Sequence, residues 1–335
     1  MSIKKINLAN IFLILTSLII AVIIPFKLFL FSYAVLGPLH YLTEINWLHQ
    51  KKYFIHSKKG WIIIFIAFAA IITIGPVLSY IKNEEMEFID KIIPLLTDIV
   101  PLILLTAMLF SSTFLFFKKS ILLATALALA LCIAFLLNTY FSRSVMIFGL
   151  FLPTLIHVYI FTFFFILFGA IKSRSKYGLY LAILLLSIPF IISFIPIGFI
   201  EHKPSQEVKD TFTSSNMIYI SSTIAQLFDK IDGTTFHPLS EIGIRIQIFI
   251  AFAYTYHYLN WFSKTSIIGW KKAITAKKGI LIGVIWILSV GLYYYDYKTG
   301  FIALFFLSYL HVFLELPLNA LTIKEVLVFN KKSNT

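Results

Sequence analysis

One apolar stretch decides the fold class: from Ser120 to Asn138 the chain reads SILLATALALALCIAFLLN, without a charged residue. A helix that crosses the hydrocarbon core of a bilayer needs about 20 mainly apolar residues. Lys118 and Lys119 precede the stretch, as is common where a helix leaves the membrane on its basic side. The stretch therefore predicts a transmembrane helix.

Similar apolar runs recur along the whole chain. Of the 335 residues, 59% are hydrophobic and 13% are charged, and the mean hydropathy of +0.91 excludes a pair of soluble domains. We predict an all-α, polytopic membrane bundle of ten transmembrane helices that forms one domain over residues 1–335. A cleaved signal peptide is the alternative for the first run, but no small-x-small cleavage site follows it. The predicted spans are 8–24, 28–50, 60–81, 92–117, 120–138, 145–171, 177–200, 241–263, 279–297 and 299–322.

The basic residues predict the topology. Lys and Arg number 28 against 15 Asp and Glu, which gives a net charge of +13. They stand singly or in pairs between apolar runs, which is typical of membrane topology and excludes a nucleic-acid-binding patch. With the N-terminus inside, 19 of the 28 fall on the inner side, so we predict that both termini are inside. Richness in Ile, Lys, Phe and Asn indicates a bacterium with an AT-rich genome. We predict an integral protein of a bacterial inner (plasma) membrane.

Only one connection, the outer segment 201–240, is long. Apolar residues between Asn216 and Ile231 recur at helical spacing. They predict either a helix that lies in the outer interface or an ordered loop packed on the bundle.

Ionisable residues deep inside predicted spans are costly there and indicate function. Two such histidines are followed four residues later by a carboxylate, Glu44 or Glu315, so each pair shares one helix face. Pro317 is expected to break the last span after Glu315. The four deep histidines are His40, His157, His257 and His311.

The other two histidines have weaker companions. Tyr254 and Asn260 share the face of His257, and Thr154 and Thr162 lie near His157. Tyr254 and Asn260 join Glu44 and Glu315 as candidate catalytic residues. Taken singly, a histidine of this kind is more often a hydrogen-bonded packing residue than a ligand.

Charge balance favours a metal ion among these residues. Two carboxylates in hydrocarbon need compensation, and a divalent cation supplies it while neutral imidazoles add no charge. Imidazole and carboxylate without thiolate suit Fe(II), Mn(II) or Zn(II), and the single cysteine, Cys132, excludes a Cys-rich site. The alternatives are a structural hydrogen-bonded pair and a proton relay. The predicted ligands are His40, His157, His257, His311, Glu44 and Glu315.

The order of these motifs resembles the bacterioopsin-related (Blh) family of membrane β-carotene 15,15′-dioxygenases. The matching patches are Gly37-Pro38-Leu39-His40 with Glu44, Ile156-His157, Tyr256-His257 with Trp261, and Leu310-His311 with Glu315. This sequence departs from the family pattern in having Leu39 between Pro38 and His40, Glu in place of Asp, and no second histidine four residues after His257. The resemblance implies non-haem iron held by histidines and oxidative cleavage of a carotenoid to retinal.

The resulting expectation is an integral membrane non-haem Fe(II) oxygenase. Its partners would be dioxygen, membrane lipids and a lipophilic polyene that enters from the bilayer. The alternative enzyme is a di-iron lipid hydroxylase or desaturase. The alternatives that are not enzymes are a transporter or proton-coupled channel that uses His/Glu relays, and a structural or assembly factor. A transporter would more often show an internal repeat, which this sequence lacks.

Overall fold

Helices build the whole described part of the protein. A computed structural model describes residues 2–51, 59–82, 86–200, 202–215, 217–227, 236–264, 269, 272 and 274–332, and no β-strand occurs among them. The predicted all-α class is therefore confirmed. The helices are α1 (Ile3–Ile23), α2 (Pro25–Phe31), α3 (Gly37–Lys51), α4 (Ile62–Ile81), α5 (Glu87–Thr113), α6 (Ser120–Tyr140), α7 (Ser142–Phe151), α8 (Thr162–Lys172), α9 (Lys176–Phe194), α10 (Gln206–Ser214), α11 (Ile218–Leu227), α12 (Glu241–Ser263), α13 (Ala276–Tyr295) and α14 (Tyr297–Lys332).

Nine helical segments of the described chain are long and apolar enough to cross a membrane. Two of these segments, Pro25–Gln50 and Ser142–Lys172, are each built from several helices that follow one another without a break. Such lengths of apolar helix make this an integral membrane protein. The segments are Ile3–Ile23, Pro25–Gln50, Ile62–Ile81, Glu87–Thr113, Ser120–Tyr140, Ser142–Lys172, Lys176–Phe194, Ala276–Tyr295 and Tyr297–Val328.

Helix α12 occupies the position of the eighth predicted span, and its 23 residues are long enough to cross. It is less apolar than the nine because protein rather than lipid surrounds it. Helices α1, α2, α9 and α11 all contact it, and side chains on every face are buried. A helix enclosed on all sides can carry polar residues that a lipid-facing helix cannot.

The first compact unit of the chain consists of Met1–His40 and Val158–Phe301. Hydrogen bonds between side chains fasten α12 inside it. The Ser263 hydroxyl donates to Asn10 Oδ1 over 2.9 Å, and the Thr255 and Ser32 hydroxyls lie 2.7 Å apart. These contacts give hydrogen-bond partners to polar groups that lie buried or half-buried inside the unit.

The second compact unit consists of Tyr41–His157 and Ile302–Thr335. Helix α5 lies against α4, α6 and α7. At Gly149 a Cβ atom would lie only 3.0 Å from Pro101, so the missing side chain permits the close approach of α7 to α5. The prediction of a single transmembrane domain stays a prediction.

Two segments wind as wide π-helical turns, Ser32–Leu36 and Leu152–Phe161. Pro38 follows the first and Pro153 lies in the second. A proline donates no N–H, and its ring crowds the carbonyl one turn earlier, which a wider turn relieves. Both segments lie next to predicted site residues. The first ends shortly before His40, and the second contains His157.

Two details of the sequence prediction are wrong. Pro317 does not break the last helix, since α14 continues through it to Lys332; a proline costs one backbone hydrogen bond, which a long helix packed on its neighbours tolerates. The break between the first two spans falls at Ile24 rather than at residues 25–27, because Pro25 starts α2, where its missing N–H is not needed.

The outer segment holds more helix than predicted. Helix α11 lies in the predicted interfacial region, of which Asn216 and residues 228–231 lie outside the described residues. Helix α10 was not predicted. Ser205 precedes it in an extended conformation and Glu207 lies in its first turn, which is typical of a helix N-terminus.

Candidate metal centre

The four predicted histidines are all buried. They are held by separate parts of the chain, since α3 carries His40, the second π-helical segment carries His157, α12 carries His257 and α14 carries His311. A buried imidazole needs partners for both ring nitrogens. The partners of each nitrogen therefore show what the histidine does.

His40 and His257 form one pair. Their Nε2 atoms lie 3.1 Å apart, and the Nδ1 atom of His257 lies 2.8 Å from the Thr162 hydroxyl oxygen. The rings of Tyr258 and Trp261 pack on His40, with centroids at 5.1 and 5.6 Å. One nitrogen of His257 thus contacts an orienting hydroxyl, while the other faces a second imidazole.

His157 and His311 form a second pair with the same arrangement. Their Nε2 atoms lie 3.0 Å apart, and the Nδ1 atom of His157 lies 2.9 Å from Oε2 of Glu315. A carboxylate only accepts, so a proton on Nδ1 beside it would leave the lone pair of His157 on Nε2. The Tyr41 ring packs on His311 with centroids 5.7 Å apart.

The spacing of the imidazole nitrogens matches that of metal ligands. Two nitrogens that each lie about 2.1 Å from one ion, at an angle of about 90°, are about 3.0 Å apart. Each histidine pair shows this spacing within its own unit. His40, His157 and His311 are buried histidines that could hold a metal ion. The residues present therefore fit a divalent metal ion with imidazole ligands.

The two glutamates lie next to the second pair. The Glu44 side chain lies close to the Glu315 carboxyl group. Asn319 Nδ2 donates to Glu315 Oε2 over 3.3 Å. Glu315 therefore contacts His157, Glu44 and Asn319, and its position is that of a group that orients an imidazole.

The other two predicted site residues have different surroundings. Tyr254 packs among aromatic rings, with centroids 5.0 Å from Phe29 and 5.9 Å from Tyr33. Asn260 is buried, and its Oδ1 has no hydrogen-bond partner among the residues that the structure describes. The structure thus places Tyr254 in an aromatic cluster and leaves the Asn260 amide oxygen available to a ligand.

Sequence reasoning missed two residues of the centre. Thr162 was noted only as a neighbour of His157, yet its hydroxyl lies beside His257. Asn319 was not noted at all, although it continues the spacing of His311 and Glu315 by one more step of four residues. That spacing was the available signal, because residues four apart share a helix face.

The comparisons with known proteins add no relative. No family model matches the chain, and no curated protein and no solved structure matches it. The resemblance to the bacterioopsin-related family stays a prediction, and function must be argued from the centre itself.

Proposed function

We propose that this protein is an integral membrane oxidoreductase whose centre is a histidine-bound metal ion, most simply non-haem Fe(II). The observation that carries the proposal is the repeated arrangement of the two histidine pairs. In each pair the Nε2 atoms face each other at 3.0–3.1 Å, while an Nδ1 atom contacts an oxygen that orients the ring. Metal-bound histidines show the same division between their two nitrogens.

Each polar residue of the centre has a separate role. His40, His157, His257 and His311 would hold the ion through Nε2. Thr162 and Glu315 would accept from Nδ1 of His257 and His157, and so fix the tautomer that ligation needs. Glu44 lies beside Glu315, so it would be near the ion without being a ligand itself.

Iron bound with open coordination positions supplies dioxygen chemistry to a nearby substrate. The surroundings of the centre favour a lipophilic one. Aromatic rings cover His40 and His311, and the histidines have almost no exposure to solvent. A substrate would therefore reach the centre from the bilayer. The class that the sequence resemblance implies is a carotenoid, cleaved to retinal in the inner membrane of a bacterium.

A proton relay is the second candidate function. The observation that favours it is a row of three neighbouring side chains, in which Glu44 lies beside Glu315 and Glu315 lies beside His157. Such carboxyl and imidazole chains occur in pumps and transporters. A relay needs no metal, so the metal content of the protein separates the two candidates.

The test is metal analysis of the full-length protein purified in detergent. We expect about one iron per chain in the wild type, and none in His311→Ala, because losing one of few ligands removes the ion. His237→Ala is the matched control: its side chain is exposed in the outer segment, and this variant should keep its metal. Wild-type protein that is well folded and holds no transition metal would contradict the proposal and favour the relay.

Activity is tested by expression in a bacterium that makes β-carotene. Loss of the colour together with formation of retinal would support the carotenoid substrate, and His311→Ala should abolish both. Iron present with β-carotene intact would exclude this substrate while leaving the metal centre in place.

A further inference from the structure

The burial of Asn319 in a membrane helix costs free energy of folding. It is 2% exposed, and its Oδ1 has no hydrogen-bond partner among the described residues. A buried acceptor without a donor opposes folding, because the group loses its hydrogen bonds to water and gains none. Packing alone would be served better by an apolar side chain of similar length.

The other end of the same amide makes one contact. Its Nδ2 donates to Oε2 of Glu315, and that same oxygen lies 2.9 Å from Nδ1 of His157. A carboxylate only accepts, so the amide must turn its NH₂ group towards Glu315, and its carbonyl oxygen is thereby turned away. The unsatisfied oxygen is a consequence of the contact with Glu315.

One helix face carries this whole series. His311, Glu315 and Asn319 follow each other at intervals of four residues on α14, so their side chains lie above one another. His311 is a proposed ligand, and Glu315 contacts the ring of another proposed ligand, His157. Asn319 donates a hydrogen bond to Glu315. A carboxylate with a free torsion would point at His157 only part of the time, whereas a second donor restricts it.

We propose that Asn319 is a positioning residue of the metal centre: it fixes the Glu315 carboxylate so that His157 presents Nε2 to the ion. This inference rests on the proposed function, because it assumes that the histidines bind a metal. Asn319 itself touches neither the ion nor the substrate.

The test uses full-length protein, stripped of metal and titrated with Co(II), whose visible absorption reports the geometry of its ligands. Asn319→Leu should weaken Co(II) binding about threefold to tenfold, as expected for the net contribution of one ordinary hydrogen bond, and should change the absorption spectrum. The midpoint of thermal unfolding of the metal-free protein should stay the same or rise, since the unsatisfied oxygen is removed. A purely structural role predicts the opposite, a lower midpoint with an unchanged spectrum.

Thr322→Val is the matched control. Thr322 lies on the next turn of α14 and is equally buried, but its hydroxyl donates only to the Leu318 carbonyl oxygen of its own helix in the contacts described. This variant should bind Co(II) like the wild type. If it weakens binding as much as Asn319→Leu does, the effect belongs to the helix and the inference is wrong.

A double substitution shows whether Asn319 acts through Glu315. In a Glu315→Gln background, Asn319→Leu should change Co(II) affinity less than about twofold, because residues that act through one contact are not additive. Full additivity would overturn the inference and leave the metal centre untouched. Wild-type protein that binds no Co(II) at all would overturn the proposed function, and this inference with it.

Discussion

At the scale of single residues, the orientation of each imidazole depends on one oxygen atom. A histidine in a dry interior can present either nitrogen, and the partner of Nδ1 decides which one carries the lone pair. For His157 the partner is a carboxylate, and for His257 it is a hydroxyl. A hydroxyl can donate as well as accept, so Thr162 restrains the tautomer less firmly than Glu315 does.

Removing the Thr162 hydroxyl should therefore weaken metal binding without unfolding the protein. We expect Thr162→Val to lower the affinity for Co(II) or Fe(II) about tenfold, the lower end of the range for a group that orients a ligand. Thr154→Val is the control, since the Thr154 hydroxyl donates to the Leu150 carbonyl oxygen of its own helix. Equal affinities in the two variants, measured by metal titration, would show that Thr162 does not orient His257.

The residues of the centre differ in how far the sequence could predict them. The histidines and glutamates stand out because ionisable groups are rare in apolar spans and because His40 and His311 have glutamates four residues later. The spacing correctly placed these residues on shared helix faces. It did not predict that Glu315 contacts His157, because contacts between different segments depend on helix packing, which residue spacing along one helix does not contain.

At the scale of helices, one side chain caps the start of α14, the helix that carries His311 and Glu315. Asp296 is its N-cap: the carboxylate accepts from the backbone N–H of Thr299 over 2.7 Å and from its hydroxyl over 2.6 Å. These hydrogen bonds from Thr299 hold the pKa of Asp296 below its usual range. The cap satisfies a backbone donor that the first turn of a helix leaves without a partner.

Asp296→Ala should destabilise the protein by about 1 kcal/mol at neutral pH, the usual cost of a lost N-cap. Because the folded pKa is lowered, the contribution is present above the unfolded pKa of about 3.9 and is lost as the pH falls through the folded value. Thermal unfolding in detergent should thus show a gap between wild type and variant that narrows below about pH 4.

Asp296→Asn provides the matched control for this cap. Asparagine caps helices about as well as aspartate but carries no charge, so this variant should stay close to the wild type at pH 7. A gap between wild type and Asp296→Ala that is the same at pH 3 and pH 7 would contradict the capping role.

The second π-helical segment shows what helical periodicity cannot predict. The apolar run over 145–171 correctly indicated a long helix, yet ten of its residues, Leu152–Phe161, wind with a wider turn. A wider turn changes the direction in which every later side chain points, so it decides how His157 faces the centre. Pro153 was the visible signal, but a proline is compatible with a kink or a break as well.

At the scale of the whole molecule, α12 decides how many times the chain crosses the membrane. The nine apolar segments alone would place the two ends of the described chain on opposite sides, because an odd number of crossings changes sides. With α12 the number is ten and both ends share a side. The sequence could indicate α12 only through its length and its boundaries, since its polar residues, His257 and Asn260 among them, reduce its apolar character.

Membrane topology tests this point directly. We expect a reporter fused after Lys209, which precedes α12, to show the outer side, and one fused after Lys272, which follows it, to show the cytoplasm. The physical reason is the basic asymmetry, because 19 of the 28 Lys and Arg fall on the inner side when α12 crosses. A fusion after Lys119, before α6, serves as the control for the inner side.

The two reporters also bear on the metal centre. His257 lies six residues before the end of α12 at Ser263, so a crossing α12 places this histidine within the membrane, where only enclosed polar groups are stable. If the fusions after Lys209 and Lys272 both report the outer side, α12 does not cross, and the chain has nine spans. His257 would then lie in a helix outside the bilayer. That result would remove His257 from the proposed ligands and leave the pair of His157 and His311 in place.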